Sequence, residues 1–408
     1  MFEITFWLLC LAIIYVYILY PLLIHTMIKT TPIGYNKQSS KRKFLRKQFQ
    51  KFRDLHLTKQ KYPMISIIVP CYNEERSLVQ KIRNLNQLSY PKHRLEIILI
   101  NDGSSDRSSK ILKVAANQGI KVITNSIGIG KLASMRKAAK VAKGSLLFFS
   151  DCSSRIPKNS MQLASSALHA ESIGLVTSIY KSVPKDQDNR SSGEGAYWKF
   201  ECKLRYLESK LQSTTHASGA AFAVKAHLFH QLDFPEDIIN DDIFIPLSIA
   251  EMGFDIACEP KILSVEYVST DVKSEFKRRK RIAHGNLQMF RKVFGLYNSH
   301  QYFILFQLLS HKLLRNLLSC ALPIVFVMNA ILIFESPLYI LVMAFQIAFY
   351  SLAFSAHYNL NLGKLNRISN PIYYFSTANL ASLIGLVDWI LGRTNIRWEK
   401  TDINLEGA

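Results

Sequence analysis

The 408-residue sequence predicts an α/β domain built on a mostly parallel sheet, flanked on both sides by membrane-embedded segments. Three observations carry this. Residues 64–106 place an apolar β-branched run, a helix-spaced run and a second apolar run in succession, the smallest parallel strand–helix–strand unit. Apolar residues make up 49% of the chain and concentrate at its two ends in long uncharged stretches. The net charge is +21, and a dense basic run directly follows the first of those stretches.

Ile4 to Ile28 carries no ionisable side chain except His25 and the weakly acidic cysteine and tyrosines, and is long enough to cross a bilayer. The leading Met1-Phe2-Glu3 lacks positive charge and no small-x-small site follows, so residues 1–30 read as an uncleaved anchor rather than a signal peptide. From Lys29 to Lys61 eleven lysines or arginines face one acid, Asp54. That asymmetry puts the downstream chain in the cytoplasm and makes residues 31–62 a basic linker facing membrane lipids. Nucleic acid is the other partner such a charge could serve. It is set aside because no aromatic residues alternate with the basic ones. The six cysteines are scattered without a C-x-x-C pair, which argues against a disulfide framework or zinc site and fits a reducing compartment.

Residues 63–290 read as a soluble α/β domain. The first strand, from Ile65, stops at Pro70 before a polar turn, Cys71 to Glu75, and Leu78, Ile82, Leu85 and Leu88 then give helical spacing. The second strand, Leu95 to Ile100, ends in Asn101-Asp102-Gly103-Ser104. Next come a helix (Ser108 to Ala116), a short strand (Lys121 to Thr124) and a helix (Lys131 to Lys143) closed by Gly144. The run from Ser145 is a buried strand ending in Asp151. Further elements are a strand (Gly174 to Ile179), a long helix (Glu194 to Ser213), a strand (Ala220 to Val224) and a helix (Ile243 to Met252) opened by Asn240-Asp241-Asp242. Residues 291–316, with Lys312 and Arg315 on a largely apolar helix, read as interfacial. Leu317–Phe334, Ser336–Ala356 and Pro371–Val387 are uncharged and read as three membrane-embedded segments within 317–392, leaving 393–408 as a tail.

Ligands of parallel sheets gather at the carboxyl ends of the strands. Asp102 at such an end is either an ordinary turn former or a ligand-binding carboxylate. Asp151 closes a nearly all-apolar strand, where a carboxylate is costly unless paired or bound to a divalent cation. Asp241 and Asp242 either stabilise a helix start or include a base for a hydroxyl proton. Gly128-Ile129-Gly130-Lys131 departs from the P-loop spacing, because Asn125 stands five before Gly130 and Leu132 follows the lysine; Lys131 at a helix start could still meet a phosphate. Lys277 to Arg281 is either a solvated helix face or a grip for a diphosphate. Tyr197 to Glu201 is either core or an acceptor-contacting face. No H-E-x-x-H, G-x-S-x-G or nucleophilic Cys/His signature anchors a hydrolase.

The pieces IIVPCYNEE, ILINDGSSD, GIGK, FFSDCSS, ASGAAFAV, NDDIFIPLSIAEMGFDIACEP and RRKRIAHG follow one another between residues 64 and 290. In that order the chain resembles membrane-bound family 2 glycosyltransferases of the GT-A fold, including polysaccharide synthases. The resemblance implies a Rossmann-like, mostly parallel catalytic domain on the cytoplasmic face of the inner membrane, in a multi-pass protein. It implies inverting transfer of a hexose from a nucleotide sugar, expected to be UDP-linked, to a glycan or lipid acceptor in cell-surface polysaccharide synthesis. Alternatives are a single addition to polyprenyl phosphate, or a non-catalytic nucleotide-sugar-binding membrane protein.

By the same resemblance Tyr72 and Asp102 would contact the nucleotide, with Glu74 and Lys131 near that pocket. Asp151 would open the D-x-D element and coordinate Mg2+ or Mn2+ with the diphosphate, with Ser153 standing at its second Asp. Asp242 would be the catalytic base of the T-E-D motif, with Asp241 in the Glu position. Arg278 to Ile282 takes the place of Q-x-x-R-W; it keeps Arg281 beside the diphosphate but has Arg278 for Gln and Ile282 for Trp, a departure that bears on long-chain polymerisation. The tail Arg397 to Thr401 resembles a nucleotide-covering gating loop.

Overall fold

The computed structural model describes residues 1–30, 62–184, 191–268, 272–358, 360 and 362–393. Nearly all of the basic linker 31–62 and of the tail 393–408, with its gating-loop resemblance, lies outside the described residues.

The core of the α/β domain is one eight-stranded sheet: β1 (Ile65–Cys71), β2 (Leu95–Asp102), β3 (Lys121–Asn125), β4 (Leu146–Ser150), β5 (Ser154–Arg155), β6 (Ile173–Pro184), β7 (Ala221–Lys225) and β8 (Asp255–Val268). The order is β3-β2-β1-β4-β7-β6-β8-β5. β1 runs parallel to β2 and β4, β2 to β3, and β6 to β8, while β7 is antiparallel to β4 and β6, and β5 to β8. The sheet is therefore mixed but mostly parallel.

Both faces are covered, as parallel strands require. Alternation within β4 shows it: Leu146 and Phe148 pack with Leu78, Ile82 and Met161 on one face, Leu147 and Phe149 with Met135, Phe222 and Phe244 on the other. β1 is buried at every position, which is why its sequence reads as a continuous apolar run rather than an alternating one. β8 was not expected from the sequence. Its register with β6 jumps from Ser178↔Glu259 to Ile179↔Leu263, so Pro260 sits in a bulge that hides the strand.

Among the described residues two helices are long and apolar enough to cross a membrane, Phe2–Thr30 and Pro337–His357. The first spans about 43 Å at ~1.5 Å per residue, against a hydrocarbon core of ~30 Å. Leu8, Leu11, Ile18 and Leu22 on it, and Ile340, Leu341, Phe345 and Phe354 on the second, are more than half exposed. Such apolar surface suits contact with lipid.

Two expectations change here. The 302–316 stretch, read as lying in the interface, packs instead on the α/β domain: Ile304, Leu308 and Leu313 join the core around Phe149 and Phe244. With Ala321–Leu332 it forms a pair bent by 57°, which makes at most a third span. The 371–387 stretch is not among the helices apolar enough to cross. It lies in the helix Asn366–Ile390, whose buried face carries Ser369, Asn370, Tyr373, Tyr374 and Asn379. That helix lies against Val272–Gln288 so closely that a Cβ at Gly385 would stand 2.7 Å from the Lys280 carbonyl. An uncharged segment is not the same as an apolar one.

Candidate active site

β2, β1 and β4 are neighbours and parallel, so their carboxyl ends and following turns meet at one edge. A cavity of about 1480 Å³ opens there. It exceeds the ~300–1,000 Å³ of a typical small-ligand site, leaving room for two substrates. Its lining brings together Glu74, Lys131, Asp151, Ser153, Asp241, Asp242, Arg278 and Arg281. Tyr72 and Asp102 are not among its lining residues.

Asp102 is 2% exposed. Its Oδ1 accepts hydrogen bonds from Asn125 Nδ2 (2.9 Å), Ile129 N (2.9 Å) and Ser134 Oγ (2.8 Å), and its Oδ2 accepts one from Gly130 N (2.9 Å). The carboxylate thus clamps the Gly128–Gly130 loop, and the two amides that a phosphate loop would offer are spent on it. Gly103 makes the clamp possible: its φ is +73°, and a Cβ there would lie 2.6 Å from Gly128 N.

The clamped loop delivers Lys131 at the start of the Lys131–Lys140 helix. Its ammonium lies 2.7 Å from Asp151 Oδ1 and 3.6 Å from Asp241 Oδ2. Burial pulls this group's pKa down, but Asp151 and Asp241 outweigh burial and hold it above the usual lysine value. Asp151 is pushed up by burial, with Lys131 opposing and Glu266 and Asp241 adding to the rise. Beneath this turn the fully buried Lys81 donates to Ser150 Oγ (2.7 Å) and the Ser154 carbonyl (2.8 Å). Burial lowers Lys81 to about 8.

Asp241 and Asp242 open the helix Asp241–Glu251, which contains Pro246. Proline has no N–H, so the Asp242 carbonyl four residues earlier has no intrahelical partner. Ala217 N supplies one at 2.7 Å, tying this helix start to the segment entering β7. Burial raises the Asp242 carboxyl to about 6, Asp241 adding to it while Lys131, Lys312 and Arg205 pull the other way. Asp241 Oδ2 is buried with no hydrogen-bond partner among the described residues. A carboxylate with a raised pKa in a cleft has the properties of a general base.

The basic helix Val272–Gln288 forms the opposite wall, and its cations divide their work. Arg278 and Arg279 bond the two oxygens of Glu275 at 2.6 and 2.7 Å. Burial works against ionised Glu275, but the two guanidiniums overcome it and hold the group at about 2. Arg279 lies over the rings of Tyr197, Tyr374 and Trp198. Lys280 pairs with Asp388. Arg281 is exposed at the cavity and has no ion-pair partner among the described residues. The run is therefore a cavity wall rather than a freely solvated face.

Tyr197, Trp198 and Glu201 also line the cavity. Glu201 is 2% exposed and bonds Lys312 (2.5 Å) and Arg315 (2.9 Å), with His311 beside it. Burial disfavours its charge, but Lys312, His311 and Arg315 together hold it well below the usual carboxylate range. The two cations that marked this helix as interfacial serve this buried acid instead. The N-terminal helix joins the network through Tyr20, whose hydroxyl donates to Glu208 Oε1 at 2.7 Å.

Sequence reasoning missed Lys81, Glu201 as a charge centre, and Glu266, which lines the cavity beside Asp151. Glu266 carried the same signal as Asp151, a carboxylate in an apolar strand, but its strand was not recognised.

Residues 66–232 match the glycosyl transferase family 2 profile. Beta-monoglucosyldiacylglycerol synthase of Trichormus variabilis is 23% identical over 57% of this chain and 51% of its own length. Poly-beta-1,6-N-acetyl-D-glucosamine synthase of Staphylococcus epidermidis is 24% identical over 56% of each. The chain thus spans about half the length of these curated relatives. The mannosyltransferase PcManGT from Pyrobaculum calidifontis, solved in complex with GDP-Man and Mn2+, superposes with a TM-score of 0.63 over 87% of this chain and 96% of that one, at 20% identity. That likeness shows a shared GT-A fold. Residues 66–232 are thus a family 2 glycosyltransferase domain.

Proposed function

We propose that this chain is a membrane-anchored inverting glycosyltransferase that moves a hexose from a nucleoside diphosphate sugar to a membrane-associated glycan or lipid. The observation that carries the reading is Asp242. It is raised to about 6, fixed at a helix start, and faces the same cavity as the Lys131–Asp151 pair and Arg281. In this arrangement Asp242 takes the proton of the acceptor hydroxyl as that oxygen attacks the anomeric carbon. Lys131 and Arg281 place positive charge where the diphosphate leaves, and Glu74 borders the donor side. Asp102, expected to touch the nucleotide, would act from behind the cavity wall by holding the 128–130 loop, and Tyr72, expected to do the same, is not among the lining residues.

A divalent cation fits the residues present. Asp151 and Ser153 offer oxygen donors at the cavity, and Asp151 already holds one cation, the Lys131 ammonium. Mg2+ or Mn2+ bound there would neutralise the donor diphosphate and stabilise it as a leaving group.

The two apolar helices support attachment to a membrane, and the diacylglycerol lipid in the name of one relative supports a lipid acceptor. Tyr17 of the N-terminal helix lines the cavity beside Arg315, so the cavity extends to a helix suited to the bilayer. That observation favours a second reading, a single addition to a lipid phosphate such as polyprenyl phosphate.

Nucleoside diphosphate release from membranes containing the chain tests the proposal, with UDP-sugars assayed first and GDP-mannose alongside. The expected result is EDTA-sensitive release with one donor, reduced ~10²–10⁴-fold in Asp242→Asn with donor binding retained. Comparable turnover in Asp242→Asn overturns the base assignment; no release with any donor and acceptor makes the chain a nucleotide-sugar binder. A ladder of product lengths indicates polymerisation, and one added sugar the second reading.

A further inference from the structure

The family resemblance leaves a gap at residue 153, where Ser stands at the second carboxylate of D-x-D. The fold brings a carboxylate to that place from elsewhere. β5 begins at Ser154 and pairs antiparallel with β8, with Ser154 opposite Glu266. Ser153 Oγ donates to Glu266 Oε1 at 2.5 Å, and the Tyr180 hydroxyl donates to Glu266 Oε2 at 2.9 Å. Asp151, Ser153 and Glu266 all line the cavity.

We propose that Glu266 supplies the second metal-binding carboxylate of this site, with Ser153 and Tyr180 orienting it. The inference rests on the divalent-cation reading above and names a ligand that reading lacks.

Four observations support it. Glu266 has no ion-pair partner among the described residues, although it faces a cavity already holding Asp151 and Asp241. Asp151 and Asp241 share the Lys131 ammonium, and Glu266 acts on Asp151 as a like charge, a repulsion that a cation bound between the two carboxylates would relieve. The donor set consists of carboxylate and hydroxyl oxygens, which suit Mg2+ or Mn2+ rather than softer metals. Hydrogen bonds from Ser153 and Tyr180 leave each Glu266 oxygen with a second lone pair, and metal-binding carboxylates are ordinarily held in this way.

The pairing also explains why residue 153 is not acidic. A carboxylate there would stand at hydrogen-bond distance from Glu266 with no proton between them, so Ser153 and Glu266 form a matched pair. The carboxylate has been moved from the turn to the facing strand, and the turn residue has become its donor.

The test is Mn2+ binding by the purified full chain in the presence of UDP, and separately of GDP, read from loss of the free Mn2+ electron paramagnetic resonance signal. Binding is expected in the wild type. Glu266→Gln keeps the shape and the hydroxyl contacts and is expected to weaken Mn2+ by about tenfold or more, as does Asp151→Asn. The double variant Ser153→Asp with Glu266→Gln returns the carboxylate to the turn and is expected to recover most of the lost affinity. That recovery is a result that mere misfolding of Glu266→Gln could not give. Glu266→Gln binding Mn2+ within about twofold of wild type, while Asp151→Asn loses it, overturns the role of Glu266 and leaves the proposed function standing. A wild type that binds no Mn2+ with either nucleotide overturns both.

Discussion

Asp102→Asn separates two roles for the residue, since a clamp on the loop and a ligand for the nucleotide respond differently. The carboxylate takes four hydrogen bonds, three of them on Oδ1. With the amide oxygen in the Oδ1 position, the new amino group faces Gly130 N, so two donors meet and one is left unsatisfied. That costs about 1–3 kcal/mol. The three remaining bonds pass from a charged to a neutral acceptor at about 0.5–1 kcal/mol each. The total of about 4 kcal/mol is a large share of the ~5–15 kcal/mol by which a domain is stable. At ~2–4 °C per kcal/mol the unfolding midpoint of the full chain in detergent falls by about 10 °C. Lys131 loses its fixed mount as well, so nucleotide affinity and transfer fall together with stability. A variant that unfolds like the wild type, yet binds nucleotide more than tenfold more weakly, would refute the clamp and place Asp102 on the ligand.

Four further outcomes follow from the site and the helices around it. Transfer measured as kcat/KM should rise with pH through about 6, because Asp242 must lose its proton to act as base, and a flat profile from pH 5 to 8 would exclude it. The sign for stability is opposite: the folded pKa of Asp242 lies above its unfolded value of ~3.9, so its stabilising contribution is present in acid and lost as pH rises through about 6. Asp242→Asn should therefore unfold at a higher temperature than wild type at pH 7.5 while losing transfer. Glu201→Gln leaves Lys312 and Arg315 buried without their acid and should cost about 3–5 kcal/mol in denaturant unfolding; a change under 1 kcal/mol would show the network to be hydrated. Tyr20→Phe removes the hydroxyl bonded to Glu208 and should lower stability by about 1–2 kcal/mol, an effect absent if the N-terminal helix does not dock on the domain.

What the sequence revealed follows one physical rule: polar groups at the ends of apolar strands are expensive and so stand out. Asp151 was legible for that reason, the Asp241–Asp242 pair as two acids opening an apolar helix, and the cavity brings them together with Lys131. Asp102 was equally visible, but visibility could not separate a carboxylate that meets a ligand from one that meets the backbone of residues 129 and 130. Only the fold, by bringing the 125–134 segment across β2, makes that distinction. The same limit explains the 371–387 helix. Its lack of charge concealed that Asn370, Tyr373, Tyr374 and Asn379 form a buried face, because absence of charge was read as affinity for lipid. Glu266 failed for a third reason, since the bulge at Pro260 broke the pattern of its strand. Long-range pairing carries no local signature. Thus the motif-bearing half of the site, on β1, β2 and β4, was readable because each strand keeps its turn beside it. The half supplied by β8 and by the 191–211, 272–288 and 302–317 helices depends on contacts between distant segments. Glu201 with Lys312 and Ser153 with Glu266 are each separated by more than a hundred residues, and it is these pairs that close the cavity around the carboxylates the sequence displays.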